Sequence, residues 1–307
     1  MIYTVTANPA VDLTVSVRKL TCGEINRSYA EAFSPAGKGI NVSLMLNNLG
    51  EKSISLGFVG GFTGAYLESE LSKRGVSTEL THISSGITRV NVKLRDGKIG
   101  ETDINAKGPF VSADEKNQLV QRLSKVSEGD IIIMSGSSAN GADTLYRDIM
   151  RKFSATGAKF IVDTHGKQLS ELIELGPFLI KPNICELSDE VGTTLETLRD
   201  IADGCRLLCR KGAQNVLCSL GKDGALLVTK AGNVLYCAAP EIKLADSVGA
   251  GDCMLAGFVY ALNNGCDFEY ALKFSVACGS ARAKAGDFPQ RSEVLKLLSG
   301  LETEKMY

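Results

Sequence analysis

The sequence predicts an α/β protein: a mostly parallel sheet covered by helices on both faces, with a small second sheet beside it. Three observations carry this. Short apolar runs such as Asp130–Ser135 and Lys159–Asp163 alternate with stretches of helical spacing, the pattern of strands buried on both sides. Glycine-bearing turns repeatedly lead into helices. Two regions near 11–34 and 88–105 instead alternate polar and apolar residues, as half-buried strands do, and do not fit the main sheet.

Ile2–Thr6 is a short β-rich run ended by Asn8-Pro9. Leu13–Val17 and Ser28–Phe33 read as strands, Gly39–Leu49 as a helix closed by Gly50, and Ser53–Val59 as a strand. Gly60-Gly61 turns the chain into a helix from about Thr63 to Arg74. Thr88–Arg95 and Lys98–Asn105 flank Asp96-Gly97, a strong hairpin signal. Ser112–Val126 is helical, with Ser112 and Glu115 spaced as a capping box. The strand Asp130–Ser135 is followed by a helix to about Ala155, then by strands Lys159–Asp163 and Phe178–Lys181 and helices to about Arg210. Val216–Leu220, Ala225–Thr229 and Val234–Cys237 are strands, and three helices finish the chain. The 307 residues are read as one domain, with the segments near 11–35 and 88–106 forming a lid.

Composition narrows the function. Net charge is −1, from 34 basic and 35 acidic residues, and no basic run carries interleaved aromatics, so nucleic acid is not an expected partner. There is no signal-peptide pattern and no apolar run of membrane-spanning length. Nine scattered cysteines without a C-x-x-C pair read as reduced thiols in the cytoplasm. Two histidines exclude a histidine-rich metal site.

The chemistry concentrates in a few stretches. Gly249-Ala250-Gly251-Asp252 precedes an apolar run of helical spacing. A helix N-terminus approached through glycine is an anion site, and an acid there makes sense if it faces a hydroxyl that attacks the anion. Gly249, Ala250 and Gly251 would hold a transferring phosphate and Asp252 would take the nucleophile's proton. The plain alternative is an acid favouring the helix dipole. Gly37-Lys38-Gly39-Ile40-Asn41 is a second such turn, and Asn41 could meet sugar hydroxyls. It is not a P-loop. Asp12 follows the first strand, where α/β sheets bind ligands, and could also be a turn residue. Asn183 and Glu186 are three apart, which suits a hydrated Mg²⁺ or simply a capping box. Ser219, Gly221 and Gly224 lie in a turn able to hold nucleotide phosphates or to make an ordinary hairpin. Arg27 and Arg89, one in each lid segment, could clamp a phosphate already on the substrate.

Together, Asn8–Asp12, Ala36–Val42, Ser135-Gly136-Ser137, Lys181–Glu186, Ser219–Ala225 and Val248–Asp252 make the chain resemble the PfkB, or ribokinase-like, carbohydrate kinases over nearly its whole length. Gly23–Arg27, Thr88–Asn91 and Glu101–Asn105 look most like the 1-phosphofructokinases, with the tagatose-6-phosphate kinases close behind. The resemblance implies a three-layer α/β/α fold and MgATP-dependent phosphorylation of a sugar phosphate, with fructose 1-phosphate as the expected substrate. A catalytically silent sugar-phosphate sensor is the alternative of another class. By position, Asp252 matches the base, and Gly249, Ala250 and Gly251 the anion hole. Asp12, Gly37, Lys38, Gly39, Asn41 and Ser137 match sugar-side residues, and Arg27 and Arg89 match the binders of the existing phosphate. Lys181, Asn183, Ser219, Gly221, Gly224 and Ser247 match the nucleotide side, with Val276 and Ser280 lining the adenine pocket. Glu186, acting through water, and Asn183 match the Mg²⁺ site. Pairing of lids into a homodimer is also implied. The chain departs from the family at Ala36, where glycine is usual, and at Ser138-Ala139 within the 135–141 loop, where Leu-Pro is usual. An alanine would be strained at position 36 if the site needs a positive φ.

Overall fold

The computed structural model describes residues 1–97 and 100–306. The chain opens with β1 (Ile2–Thr6), β2 (Ala10–Val17), β3 (Ser28–Ala36) and α1 (Lys38–Leu49). It continues through β4 (Ser53–Val59), α2 (Gly61–Lys73), β5 (Ser77–Thr78), β6 (Thr81–His82), β7 (Arg89–Asp96), β8 (Gly100–Ile104) and α3 (Ala113–Arg122). Next come β9 (Ile131–Ser135), α4 (Leu145–Phe153), β10 (Lys159–Asp163), α5 (Gly166–Ile173), β11 (Leu179–Ile180), α6 (Ile184–Val191) and α7 (Leu198–Lys211). The last part holds β12 (Asn215–Ser219), β13 (Ala225–Thr229), β14 (Val234–Cys237), α8 (Ala250–Asn263), α9 (Phe268–Ala285), α10 (Arg291–Leu298) and β15 (Glu304–Met306).

The large sheet runs β15-β14-β13-β12-β11-β10-β9-β1-β4-β5, with β6 also on β4. It is parallel from β12 to β5, and the β13–β15 edge is antiparallel. Successive residues of the central strands alternate between two cores. Tyr3, Val5, Ile132 and Met134 pack with Leu119, Tyr146, Leu169 and Ile201 from helices α3, α4, α5 and α7. Ile2, Ile131 and Ile133 pack with Val42, Phe258, Leu272 and Val294 from α1, α8, α9 and α10. An apolar helix stripe on each face is what makes uninterrupted apolar strands stable. The sheet order reverses at β1, which lies between β4 and β9. Ligands of such sheets bind in the crevice beyond the strand C-termini at that point.

β3, β2, β7 and β8 form a separate four-stranded sheet. Its register places Leu13 opposite Phe33 and Val92, and Val92 opposite Ile104, on one face; Asp12 and Asn91 pair on the other.

Several elements differ from the sequence reading. The helix after β9 starts only at Leu145, because Gly136 and Gly141 adopt positive φ (86° and 84°) and hold the intervening segment as a loop. The α3 helix stops at Arg122, although its Ser112–Glu115 capping box forms as expected. α5 and the short strands β5, β6 and β15 were not expected. The predicted strand Lys98–Asn105 lies partly outside the described residues; its described part is β8.

Candidate active site

Two of the helices that begin on glycine with no side-chain cap meet at the candidate site. The N-cap of α1 is Gly37 (φ 133°) and that of α8 is Gly249 (φ 77°). Gly39 packs on the end of β1: a Cβ there would lie 2.5 Å from Thr6 Oγ1 and 3.3 Å from the Val5 carbonyl oxygen. In the second turn the Ala250 N–H donates to the Ser247 carbonyl at 3.1 Å. Ala250 is therefore a weaker donor to a ligand than its position suggested. Among the described residues, the N–H groups of Gly251 and Asp252 find no backbone acceptor, as the start of a helix dictates. Asp252 is 7% exposed, and its Oδ2 accepts a 2.8 Å hydrogen bond from Asn41 Nδ2, joining the two glycine turns. Burial, reinforced by nearby Asp163, pushes the Asp252 carboxyl up to about 6, against the pull of Lys181, Asn41 and Lys38.

Asp163 is the site residue the sequence reading missed. It ends β10, is fully buried, and lies 3.0 Å from Lys38 Nζ and 3.3 Å from Lys181 Nζ. Burial alone would raise its carboxyl, but Lys181 and Lys38 outweigh that and hold it below the usual range. Burial works against the Lys38 ammonium, yet Asp163, Asp252 and Glu186 raise it, so it stays charged. Lys181 is 5% exposed on its side chain and stands 3.3 Å from where a Cβ of Gly251 would lie. Two lysines thus flank open N–H donors and a carboxylate tuned toward neutrality. That set can hold a phosphoryl group and accept a proton beside it.

Beyond this turn opens a cavity of about 720 Å³. Asn183, Ser219, Gly221, Gly224, Ser247, Val276 and Ser280, the residues expected on the nucleotide side, all line its wall. Both Gly221 and Gly224 have positive φ (61° and 100°), and a Cβ at Gly224 would strike the Cys237 carbonyl at 2.0 Å. Asn183 and Glu186 form the capping box in full. Asn183 Oδ1, its only metal-competent atom, accepts the Glu186 N–H at 2.9 Å, so direct Mg²⁺ ligation by Asn183 is not favoured. Glu186 uses Oε2 for the cap and turns Oε1 toward Lys38 at 3.8 Å. No cluster of three metal-ligating side chains occurs among the described residues. A hydrated ion held by phosphates and one water-mediated carboxylate fits this donor set better than a protein cage does.

On the sugar side, Asp12 lies at the root of the small sheet, held by Asn91 Nδ2 at 3.0 Å with Lys93 at 3.8 Å. Burial raises its carboxyl against the pull of Asn91 and Lys93. Arg89 donates from Nε and Nη2 to the Asn8 carbonyl and from Nη1 to that of Ala106. Two of its five donors remain for a ligand, and burial of the guanidinium favours an incoming anion. Arg27 is not brought to this point within the chain. It is exposed and precedes Ser28, which pairs with Val17, five residues beyond Asp12 along β2. That is about 16 Å at strand spacing. Ser137 follows Gly136, beside Lys38, at the rim of a second, polar cavity of about 590 Å³. Ala36 ends β3, and among the described residues none other than glycine has a positive φ, so alanine is unstrained there.

Fold and site define a phosphotransferase with an alcohol acceptor, using ATP as phosphoryl donor. A family model for pfkB family carbohydrate kinases matches residues 6–287. The chain belongs to that family. It is 38% identical to a 1-phosphofructokinase of Borreliella burgdorferi, across 100% of this chain and 99% of that one. It is 35% identical to a D-tagatose-1-phosphate kinase of Bacillus licheniformis, over 92% of each. Among solved structures, phosphofructokinase-2 of Escherichia coli in complex with substrates and products superposes with a TM-score of 0.91 at 29% identity, covering 97% of this chain and 98% of that one.

Proposed function

We propose that this enzyme transfers the γ-phosphoryl group of ATP to the C6 hydroxyl of fructose 1-phosphate. The observation that carries the reading is the union of the two glycine turns through Asn41 and Asp252, beside the 720 Å³ cavity that Ala250 and Gly251 line. Asp252 accepts the hydroxyl proton as the new O–P bond forms and the γ-phosphoryl bond to ADP breaks. Gly251 and Asp252 N–H groups, with Lys38 and Lys181, stabilise charge on the equatorial oxygens. Asp12 and Asn41 orient the sugar and Arg89 receives its phosphate. Asp163 holds both lysines in place. The Asn183, Ser219, Gly221 and Gly224 wall takes the nucleotide phosphates, and Val276 and Ser280 face the base. Mg²⁺, when bound, neutralises charge on the nucleotide phosphates, and Glu186 would hold it through water.

Relatives named 1-phosphofructokinase support the substrate. The specific rival is tagatose 1-phosphate, since D-tagatose-1-phosphate kinases are also close. That sugar keeps the O1 phosphate and free C6 hydroxyl and differs in stereochemistry at C4, whereas tagatose 6-phosphate, the alternative expected from the sequence, carries its phosphate on O6. ADP release with fructose 1-phosphate, tagatose 1-phosphate, tagatose 6-phosphate, fructose 6-phosphate and free fructose tests the reading. kcat/KM should be highest for fructose 1-phosphate. A lead for free fructose would remove the role given to Arg89, and sugar-phosphate binding without turnover would make the protein a sensor.

The small sheet acts as a lid over the sugar, and the lids of two copies pair. Phe33 and Ile104, 57% and 60% exposed, lie on its apolar face with Leu13 and Val92, opposite the face that carries Asp12. A second copy covering that face is the symmetric solution. Among the described residues, no helix is long and apolar enough to cross a membrane. Nine free cysteines suit a reducing compartment, and we place the enzyme in the cytoplasm.

A further inference from the structure

Asp246 precedes the phosphate-binding turn by three residues and touches both bodies of the molecule. Its Oδ1 accepts the Val248 N–H at 2.9 Å, which bends the chain into the Gly249 turn. Its Oδ2 accepts from Arg95 Nη2 at 3.1 Å. Arg95 belongs to β7 of the lid and is braced there by Glu101 at 2.7 Å. The same Oδ2 lies 3.8 Å from Arg282 Nη2 on α9.

Arg282 is the unusual member. It is 7% exposed, and its Nε and Nη1 are buried without a hydrogen-bond partner. It stacks 5.6 Å from the Phe288 ring centre, and its Nε would lie 3.7 Å from a Cβ on Gly249. A guanidinium so poorly solvated has a strong interest in any carboxylate within reach. One oxygen of Asp246 is thus shared between a fixed buried cation and a half-exposed one that travels with the lid. Gly249, in the left-handed region, is the flexible joint that follows.

We propose that Arg95, Asp246 and Arg282 form a latch that passes the seating of the lid to the turn holding the transferred phosphoryl group. Asp246 and Arg282 are then positioning residues of the transfer step; the role rests on the kinase reading above. With the lid seated, Arg95 keeps Asp246 on the Val248 N–H and the first N–H groups of α8 stay aimed. When the lid lifts, Arg282 alone holds the carboxylate and the turn relaxes, so transfer awaits closure.

A double-mutant cycle on the full chain tests this. Arg95→Gln alters a half-exposed lid residue. Asp246→Asn keeps an oxygen for Val248 while removing the shared charge. Each should lower kcat by roughly 2- to 30-fold, the range of couplings carried between elements. KM for ATP should stay within about twofold, because the nucleotide walls are untouched. The double variant should fall no further than Asp246→Asn alone. In ligand-free protein, amides 248–252 should exchange hydrogen faster in Arg95→Gln than in wild type. Multiplicative losses in the cycle, unchanged kcat in both single variants, or equal exchange rates would overturn the latch. A wild type without sugar-dependent ADP release would instead remove the kinase reading, and the exchange comparison would still decide whether Arg95 holds the turn.

Discussion

At neutral pH Asp252 is mostly ionised although buried, because its carboxyl is pushed up only to about 6. The folded value lies above the ordinary 3.8, so folding favours the protonated acid. Stability falls as pH rises from about 4 to 6, and activity, which on the proposed mechanism needs the ionised base, rises through the same window. Asp252→Asn should therefore melt higher than wild type at pH 7.5, with the gain shrinking toward pH 4, while kcat drops by ~10²–10⁴-fold. Thermal melts and pH–rate profiles check both; an Asn variant that turned over normally would remove Asp252 from the mechanism. Asp163 has the opposite sign. Its folded value is depressed, so it stabilises above the ordinary carboxylate range and loses that effect as pH falls. Asp163→Asn leaves the buried Lys181, and the partly exposed Lys38 beside it, without their shared carboxylate and should cost about 3–5 kcal/mol at pH 7 by denaturant unfolding, with the cost shrinking in acid. A neutral result would show the lysines are hydrated. Asp163 was legible by the same rule that found Asp12, an acid at the C-terminal end of a core strand. Its fixed distance to Lys38 and Lys181 was not, because residues 38, 163 and 181 meet only through strand order.

Among the elements, α1 shows how a helix can be placed by the absence of a side chain. Gly39 has ordinary helical geometry, yet a Cβ would meet Thr6 and the Val5 carbonyl. Gly39→Ala should cost about 1–3 kcal/mol as an overpacked contact. It should also raise the sugar KM, because Lys38 and Asn41 would move with the helix. Full stability with unchanged KM would mean that β1 yields instead. Strands long enough to show a period were readable from the sequence: β1, β4, β10, β13 and β14 fall where the residues place them. The short strands β5, β6 and β15 carry no period to read, whereas the two-residue β11 falls inside the run Phe178–Lys181 read as a strand. Arg27 illustrates another limit. Alternation finds the lid strands, but only the register of β2 on β3 shows which end of the lid Arg27 occupies.

For the molecule as a whole, the lid's apolar face predicts the oligomeric state. Leu13→Glu, on the face with Phe33 and Val92, should halve the sedimentation mass at micromolar concentration. A wild-type monomer, or a variant of unchanged mass, would end the lid-pairing proposal. The order of the strands has a consequence of its own for how the enzyme comes into being. β1 lies inside the sheet between β4 and β9, yet β9 is made more than a hundred residues later, and the proposed base stands near residue 250. Asp252, Asn41 and Lys181 come from the last, first and middle parts of the chain. During synthesis, therefore, the ribosome must deliver most of the polypeptide before any fragment can consume ATP. A stalled or truncated chain can expose strands, but it cannot waste nucleotide. On the proposed mechanism, catalytic activity reports that synthesis and folding have passed at least through α8.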